Sequence, residues 1–517
     1  MEARIAHVLS NKNSVTKSEL QVILVSTALI SLILSLTQWL SDPVINSDGI
    51  MYIQAASFIQ KDDWVAASKL YNWLFYPLIV AKFSSFTTLS LEHSAHIINA
   101  VLSTITCLTF ILLIKEFGGK TKTILCFSSL IILCYPNLNE YRNLIIRDHG
   151  YWAFYLLSCY FFIKAYKHIS IRNVVFFVSS VVLATLFRVE GLCFLLTAPI
   201  VLFLYHLPSL KKTTVIFISL LIITLVLTLS FNNTFQSLNL KGFTKTKQVE
   251  QIIDNPSAKI SSAINITESY INKLSANDFS NDYAPVILGF LFVLILSTEI
   301  FSATSPLYVL LLCFVLFKTK LLWEKELTLP WIYFILVNII ILCGFLFSQY
   351  FIAGRYPIPL ALTLILPLPF LAQYIYQKFR NKELTPRHHK IATATILFFT
   401  VLTIDGIIST GASKKYLKEA GEWVSSSQKQ KETSLYTNNQ FVSYYAGSQN
   451  GKRISEPSFN DILSKLKNGQ LNQFELLAIH VGRKNANDKI TLENTITTTP
   501  IKVFKNKKGD SVFVFKQ

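Results

Sequence analysis

Apolar runs long enough to cross a lipid bilayer recur along most of this chain, beginning with Leu20 to Leu40. A helix gains only about 1.5 Å per residue, so each crossing needs about 20 mostly apolar residues. The composition agrees, with 51% hydrophobic and 15% charged residues among 517 and a mean hydropathy of +0.43. A soluble enzyme carries about a quarter charged residues to cover its surface. The first run is too long for the core of a signal peptide, and no small-residue cleavage site follows Leu40, so it reads as a retained first helix.

Further crossings are expected at Ser94–Ile114, Thr123–Pro136, His149–Lys164, Asn173–Phe187, Gly191–Leu207, Thr213–Phe231, Leu329–Gln349, Tyr356–Tyr376 and Ile391–Ile408, with one net crossing inside Ala284–Phe317. The total is about eleven transmembrane helices. The net charge of +18 comes from short basic clusters between these runs, with no continuous stripe or nucleic-acid motif. Clusters at Arg4–Lys17, Lys115–Lys122, Lys164–Arg172, Lys211–Lys212, Lys318–Lys320 and Lys378–Lys390 fall at every second connection, and the positive-inside rule places them in the cytoplasm. The N-terminus is then inside, and the hydrophilic segments 41–93, 232–283 and everything after Ser409 are outside.

Asn72–Leu91 is apolar but carries Pro77 and Lys82, and reads as a helix lying at the outer interface. Beyond the membrane region, residues 1–408, the tail 409–517 is polar. It has a helical stretch at Lys414–Ser426, strand-like runs at Ser434–Thr437 and Leu476–Val481, and a hairpin pattern from Ile501 to Phe515, which together describe a small soluble α/β domain. All seven cysteines lie in apolar runs without zinc or disulfide spacing and read as packing residues.

Charges beside membrane helices are costly and are functional candidates by default. Asp48 follows Asp42 in the first outer segment, at the start of a helix that also carries Tyr52; Ser47 or Asp48 is equally suited to cap that helix. The short turn Asn139–His149 holds Arg142, Arg147 and Asp148, where the plainer alternative is a solvated turn with Asp148 as a cap. Arg188 and Glu190 sit between two helices almost without a loop, as a mutual ion pair or as a phosphate site. Arg355 and Tyr356 open a helix at its outer end, where the positive-inside rule disfavours arginine. A planar guanidinium there suits an anionic partner.

The order of these pieces resembles the GT-C glycosyltransferases, polytopic enzymes that include the protein O-mannosyltransferases of glycosyltransferase family 39 and the lipid A aminoarabinose transferase. The resemblance rests on Asp48 early in the first outer loop, interfacial helices before the second crossing, the Arg142/Arg147/Asp148 turn, Arg188-Val189-Glu190-Gly191 and Arg355-Tyr356-Pro357. It departs where members often have paired acids, since Gly49 follows Asp48, leaving open whether Asp48 or Asp42 is the base. What it implies is an inverting enzyme that moves a sugar from a polyprenyl-phosphate donor to a lipid, glycan or protein acceptor at the outer face of a bacterial cytoplasmic membrane, with the C-terminal domain in the periplasm. Asp48 and Asp148 are then the catalytic carboxylates, Arg355, Arg142, Arg147 and Arg188 the donor-phosphate ligands, and Asp42, Tyr52, Glu190 and Tyr356 supporting residues. The resemblance leaves room for a divalent cation and implies no nucleotide cofactor. A lipid-linked glycan polymerase or ligase and a secondary transporter are the competing classes; a transporter is expected to carry charges at mid-membrane and repeated halves.

Overall fold

The computed structural model describes residues 14–205, 256–274, 283–318, 325–382, 414–427, 435–447, 459–483, 490–492, 495–496 and 499–516. The expected crossings Thr213–Phe231 and Ile391–Ile408, and much of segment 232–283, lie outside them. The helices in order are α1 (Lys17–Ser41), α2 (Ser47–Gln60), α3 (Trp64–Leu70), α4 (Phe75–Thr87), α5 (Leu91–Glu116), α6 (Lys122–Leu133), α7 (Pro136–Glu140), α8 (Asp148–Lys167), α9 (Ile171–Phe187) and α10 (Leu192–Tyr205). There follow α11 (Pro256–Leu274), α12 (Ala284–Thr304), α13 (Pro306–Lys318), α14 (Thr328–Gln349), α15 (Ile358–Leu364) and α16 (Leu368–Arg380). Five stretches, α1, α5, α12, α14 and the α15–α16 pair, are long and apolar enough to cross a membrane, which makes this a multi-pass membrane protein.

The first helix shows how such a sequence packs without water. Thr16 and Glu19 form a reciprocal capping box at its start. Its apolar side chains Val22, Val25, Leu29, Ile33 and Leu36 point outward, while Thr27, Ser31 and Ser35, spaced by four, are buried against the bundle. In lipid the apolar face gains nothing by turning inward, so small and polar residues form the contact.

The bundle has two chemically distinct ends. At one end Val15 N–H donates to the Lys120 carbonyl (2.8 Å), Lys167 reaches the Glu116 carbonyl (2.5 Å), and Thr121 meets Gln373 (3.2 Å), gathering the starts of α1 and α6 with the ends of α5 and α8 and the approach to Arg380. At the other end lie the loop after α1, the turn between α7 and α8, the Arg188–Gly191 junction and the loop after α14.

Two of the long apolar stretches are divided. Ala284–Phe317 divides at Ser305, where φ is +73°. Phe292 of α12 packs on Tyr350 with ring centroids 6.2 Å apart, and the Ser302 carbonyl accepts from Asn137 at 3.0 Å. Both partners lie at the end opposite Arg380, and beyond the break α13 packs on α6, its Tyr308 hydroxyl donating to the Ile131 carbonyl (2.9 Å). Tyr356–Tyr376 is interrupted between α15 and α16, where Pro367 has no N–H to continue the ladder. The stretch Asn72–Leu91 contains the helix α4 (Phe75–Thr87).

The C-terminal region contains α17 (Lys415–Ser427), β1 (Leu435–Thr437), α18 (Gln440–Tyr445), α19 (Phe459–Lys467), β2 (Leu476–Val481), β3 (Lys502–Lys505) and β4 (Ser511–Lys516). The sheet order is β1-β2-β4-β3, with β1 parallel to β2 and the β3–β4 hairpin antiparallel. The central strands are buried along nearly their whole length and bring Leu477, Ile479, Phe513 and Phe515 onto Ile462 and Leu471. This layer sits at the same end of the bundle as α2.

In a cysteine-free background, single cysteines at Lys61 and Ser426 are expected to react with an impermeant maleimide from one side of sealed vesicles, and a cysteine at Arg380 from the other. Labelling of all three from one side would contradict this arrangement.

Candidate functional site

Six of the sequence-predicted residues converge where α2, α8, the α9–α10 junction and the α14–α15 loop meet. Arg188 donates to Asp148 through Nη1 and to Glu190 through Nη2 (2.5 Å), with the two carboxylates 2% and 11% exposed at the side chain. Arg355 donates to Asp48 Oδ2 at 2.7 Å and lies 3.5 Å from the second oxygen of Asp148. The Tyr356 ring lies 4.1 Å from the Arg188 guanidinium and 5.6 Å from that of Arg355. Burial opposes the charge of Arg355, but Asp148 and Asp48 outweigh it and hold the guanidinium above the ordinary arginine pKa. The cluster itself lines a small pocket, in which Asp148, Arg188, Glu190 and Arg355 face Asn338, Ile341, Leu342 and Phe345 of α14.

The turn before α8 is not solvated, contrary to its plainer alternative. Ile145 and Ile146 have no exposure and Asp148 has 2%, because the turn's backbone is tied down on several sides. The Asn46 side chain accepts from Ile145 N–H (2.8 Å) and donates to its carbonyl (3.3 Å). Asn99 donates to the Leu144 carbonyl (3.1 Å) and accepts from Tyr76 (3.0 Å), linking α4, α5 and the turn. His149 Nε2 lies 3.0 Å from the Tyr141 carbonyl, which can only accept, so this nitrogen carries the proton and Nδ1 accepts from Ser103 at 3.0 Å.

The capping alternatives are overturned as well. Asn46, not Ser47 or Asp48, occupies the cap position of α2 and makes no side-chain cap bond, because its amide is committed to Ile145. Asp148 is the first residue within α8, after Arg147. The close approach also leaves no room for a side chain at Gly49: a Cβ there would lie 2.7 Å from Ile45, 2.8 Å from Asn46 and 3.0 Å from Ile145.

Other candidates lie apart from the cluster. Arg142 is 2% exposed and its guanidinium is occupied by Asn139, the Ser31 carbonyl and the Ser31 and Ser35 hydroxyls at 2.8–3.1 Å. It holds α1 to the turn and is turned away from the cleft. Arg147 is buried over the Tyr71 ring (5.7 Å), with Nη1 lacking a hydrogen-bond partner. Asp42 is the residue that ends α1. Tyr52 is buried edge-on to Tyr71 and Tyr76, in the wall behind Asp48.

Glu299 was not singled out in the sequence, although a lone acid within the apolar α12 is a recognised signal. Its Oε2 and the Tyr141 hydroxyl lie 3.9 and 3.2 Å from the position a Cβ of Gly354 would take, beside Arg355. Asp48 and Asp148 both face arginine, and among the described residues no group of three His, Cys, Asp or Glu side chains converges as a metal site does.

No family model matches the sequence, and no curated protein matches it. Among solved structures, the chain is similar to the oligosaccharyltransferase of Archaeoglobus fulgidus, crystallised with a tethered acceptor peptide containing the NVT sequon. The identity is 13% and the TM-score 0.49, over 83% of this chain and 59% of that one, so this chain spans less than two thirds of that enzyme's length. It is also similar to ArnT from Cupriavidus metallidurans in the apo state, at 14% identity and a TM-score of 0.40, over 95% of this chain and 97% of that one. At this level of similarity neither assigns a reaction to this chain.

The two arginines at the cleft are held with unequal strength. Arg188, 4% exposed, neutralises two buried carboxylates, and removing one partner of such a buried set costs about 3–5 kcal/mol. The Arg355–Asp48 pair is 23% and 29% exposed, so water reaching the site offsets part of the loss when Arg355 is removed. Arg188→Ala should therefore lower the thermal unfolding temperature of the purified protein sharply, and Arg355→Ala by clearly less. Equal losses would contradict this ranking.

Proposed function

We propose that this protein is an inverting glycosyltransferase that takes a sugar from a polyprenyl-phosphate donor at the outer face of the cytoplasmic membrane. The observation that carries the proposal is the Asp48–Arg355 pair, at 2.7 Å, whose guanidinium lines a small pocket faced by α14. A carboxylate and a guanidinium in one place supply a base and an anion clamp for a lipid-phosphate leaving group. The conspicuous charges lie at one end of the bundle, which favours this reading over transport.

In the proposed reaction the acceptor hydroxyl attacks the anomeric carbon, its proton passes to Asp48, and the bond from that carbon to the phosphate oxygen breaks. The configuration inverts because the nucleophile enters opposite the leaving group. Arg355 stabilises the departing phosphate. Being the weakly held arginine, it can exchange Asp48 for phosphate, which leaves the carboxylate free to accept a proton. Arg188 remains between Asp148 and Glu190 and supports Arg355 through Asp148. Arg147 is a second phosphate candidate, and the sequestered Arg142 is assigned to structure.

The test is transfer of labelled sugar from synthetic polyprenyl-phosphate donors by purified protein. Asp48→Asn is expected to lower turnover by about 10²–10⁴-fold, and Arg355→Ala to lose transfer while remaining folded. Normal turnover by Asp48→Asn would remove Asp48 as the base. No transfer from any donor, with solute accumulation in proteoliposomes, would favour transport instead.

A further inference from the structure

The C-terminal layer makes its contacts with the membrane bundle on the residues that lead into the Asp48 helix. The Tyr445 hydroxyl accepts from Ile45 N–H at 3.0 Å and lies 3.5 Å from the Pro43 carbonyl, to which it donates. Gln440 Nε2 donates to the Ser47 hydroxyl at 2.5 Å. Lys418 reaches the Pro43 carbonyl at 3.4 Å while lying over the Tyr445 ring, 5.2 Å from its centroid. Tyr444 contributes a more distant bond to Glu92 of α5, at 3.4 Å.

These partners are themselves rigidly placed. Asn439 accepts from the N–H groups of Phe441 and Val442 at 3.0 and 3.3 Å, capping α18 and setting Gln440 as its first residue. At Gly421 of α17 a Cβ would come within 2.6 Å of the Tyr445 Cβ and 2.7 Å of the Val442 carbonyl, so α17 and α18 touch backbone to backbone. That approach fixes where the Tyr445 side chain leaves the layer. Ile45 is 2% exposed, and without the tyrosine hydroxyl its N–H would be buried without a partner.

The Asp48 helix is thus gripped from both sides of its first turn. Asn46 fastens it to Ile145 and hence to the turn carrying Asp148, while Ile45 and Ser47 fasten it to the C-terminal layer. Asp48 is one residue beyond Ser47. Its ion-pair partner, Arg355, belongs to a loop, so the backbone anchors help decide where its carboxylate stands.

We infer that Tyr445 and Gln440 of the C-terminal layer are positioning residues for Asp48, so that docking of this layer on residues 43–47 sets the geometry of the base. The inference rests on the reading of Asp48 as the base, but the structural link it describes can be measured without turnover.

The experiment compares full-length protein with the Tyr445→Phe/Gln440→Ala variant, alone and combined with Asp48→Asn. Amide exchange over residues 44–50 is expected to accelerate while the rest of the C-terminal layer keeps its protection. In transfer assays kcat should fall roughly tenfold or more, as misplacement of a reacting group by about 1 Å can do, with the donor KM unchanged. On the Asp48→Asn background the same substitutions should cause no further loss, since they act through Asp48. Unchanged exchange over 44–50 overturns the inference, as do equal losses with and without Asp48. If the wild-type protein transfers sugar from no lipid-linked donor, the proposed reaction fails on its own account, and the exchange measurement alone decides whether the layer holds the Asp48 helix.

Discussion

Arg188, at 4% exposure, carries its charge into the interior facing two carboxylates, Asp148 and Glu190. Removing either partner would leave a charge stranded in a low-dielectric interior, where an isolated ion is far more costly than a paired one. The ends of α8, α9 and α10 must therefore meet within the reach of one guanidinium. Asp148 in turn lies 3.5 Å from Arg355, so the position of the α14–α15 loop is tied to the same set of charges.

Around this centre the protein holds its arginines in different ways. Arg142 is surrounded by hydroxyls, an amide and a carbonyl, with no carboxylate among its hydrogen-bond partners, and its donors serve to fasten α1 to the turn before α8. Arg188 is locked by two carboxylates. Arg355 is the one at the cleft that shares a partly exposed carboxylate, and an incoming anion can displace that partner at small cost. Under the proposed chemistry, rigidity and responsiveness are divided between two neighbouring arginines: Arg188 keeps the site assembled and Arg355 answers the substrate.

The loop that carries Asp48 is built by backbone satisfaction rather than by its own helix cap. Asn46 forgoes capping α2 and pairs with both polar backbone groups of Ile145, and the N–H of Ile45 finds its acceptor in Tyr445. Segments separated by about 100 and 400 residues therefore bracket a single helical turn. The narrow space at Gly49 belongs to the same arrangement, since a side chain there would push α2 away from Ile145.

The sequence alone determined that this is a multi-pass membrane protein, and where many of its helices lie, because hydropathy is a property of local residues summed along the chain. It also marked Asp48, Asp148, Arg188, Glu190 and Arg355, since a charge beside an apolar run is conspicuous whatever its partner. It did not separate Arg142 from the others, because the hydroxyls that occupy it belong to Ser31 and Ser35, over 100 residues away. Gln440 and Tyr445 carried no local signal at all. Only the tertiary structure decided which charges meet, which arginine is sequestered and what holds the Asp48 helix, because a side chain's electrostatic and hydrogen-bonding partners depend on which helix ends approach one another in space.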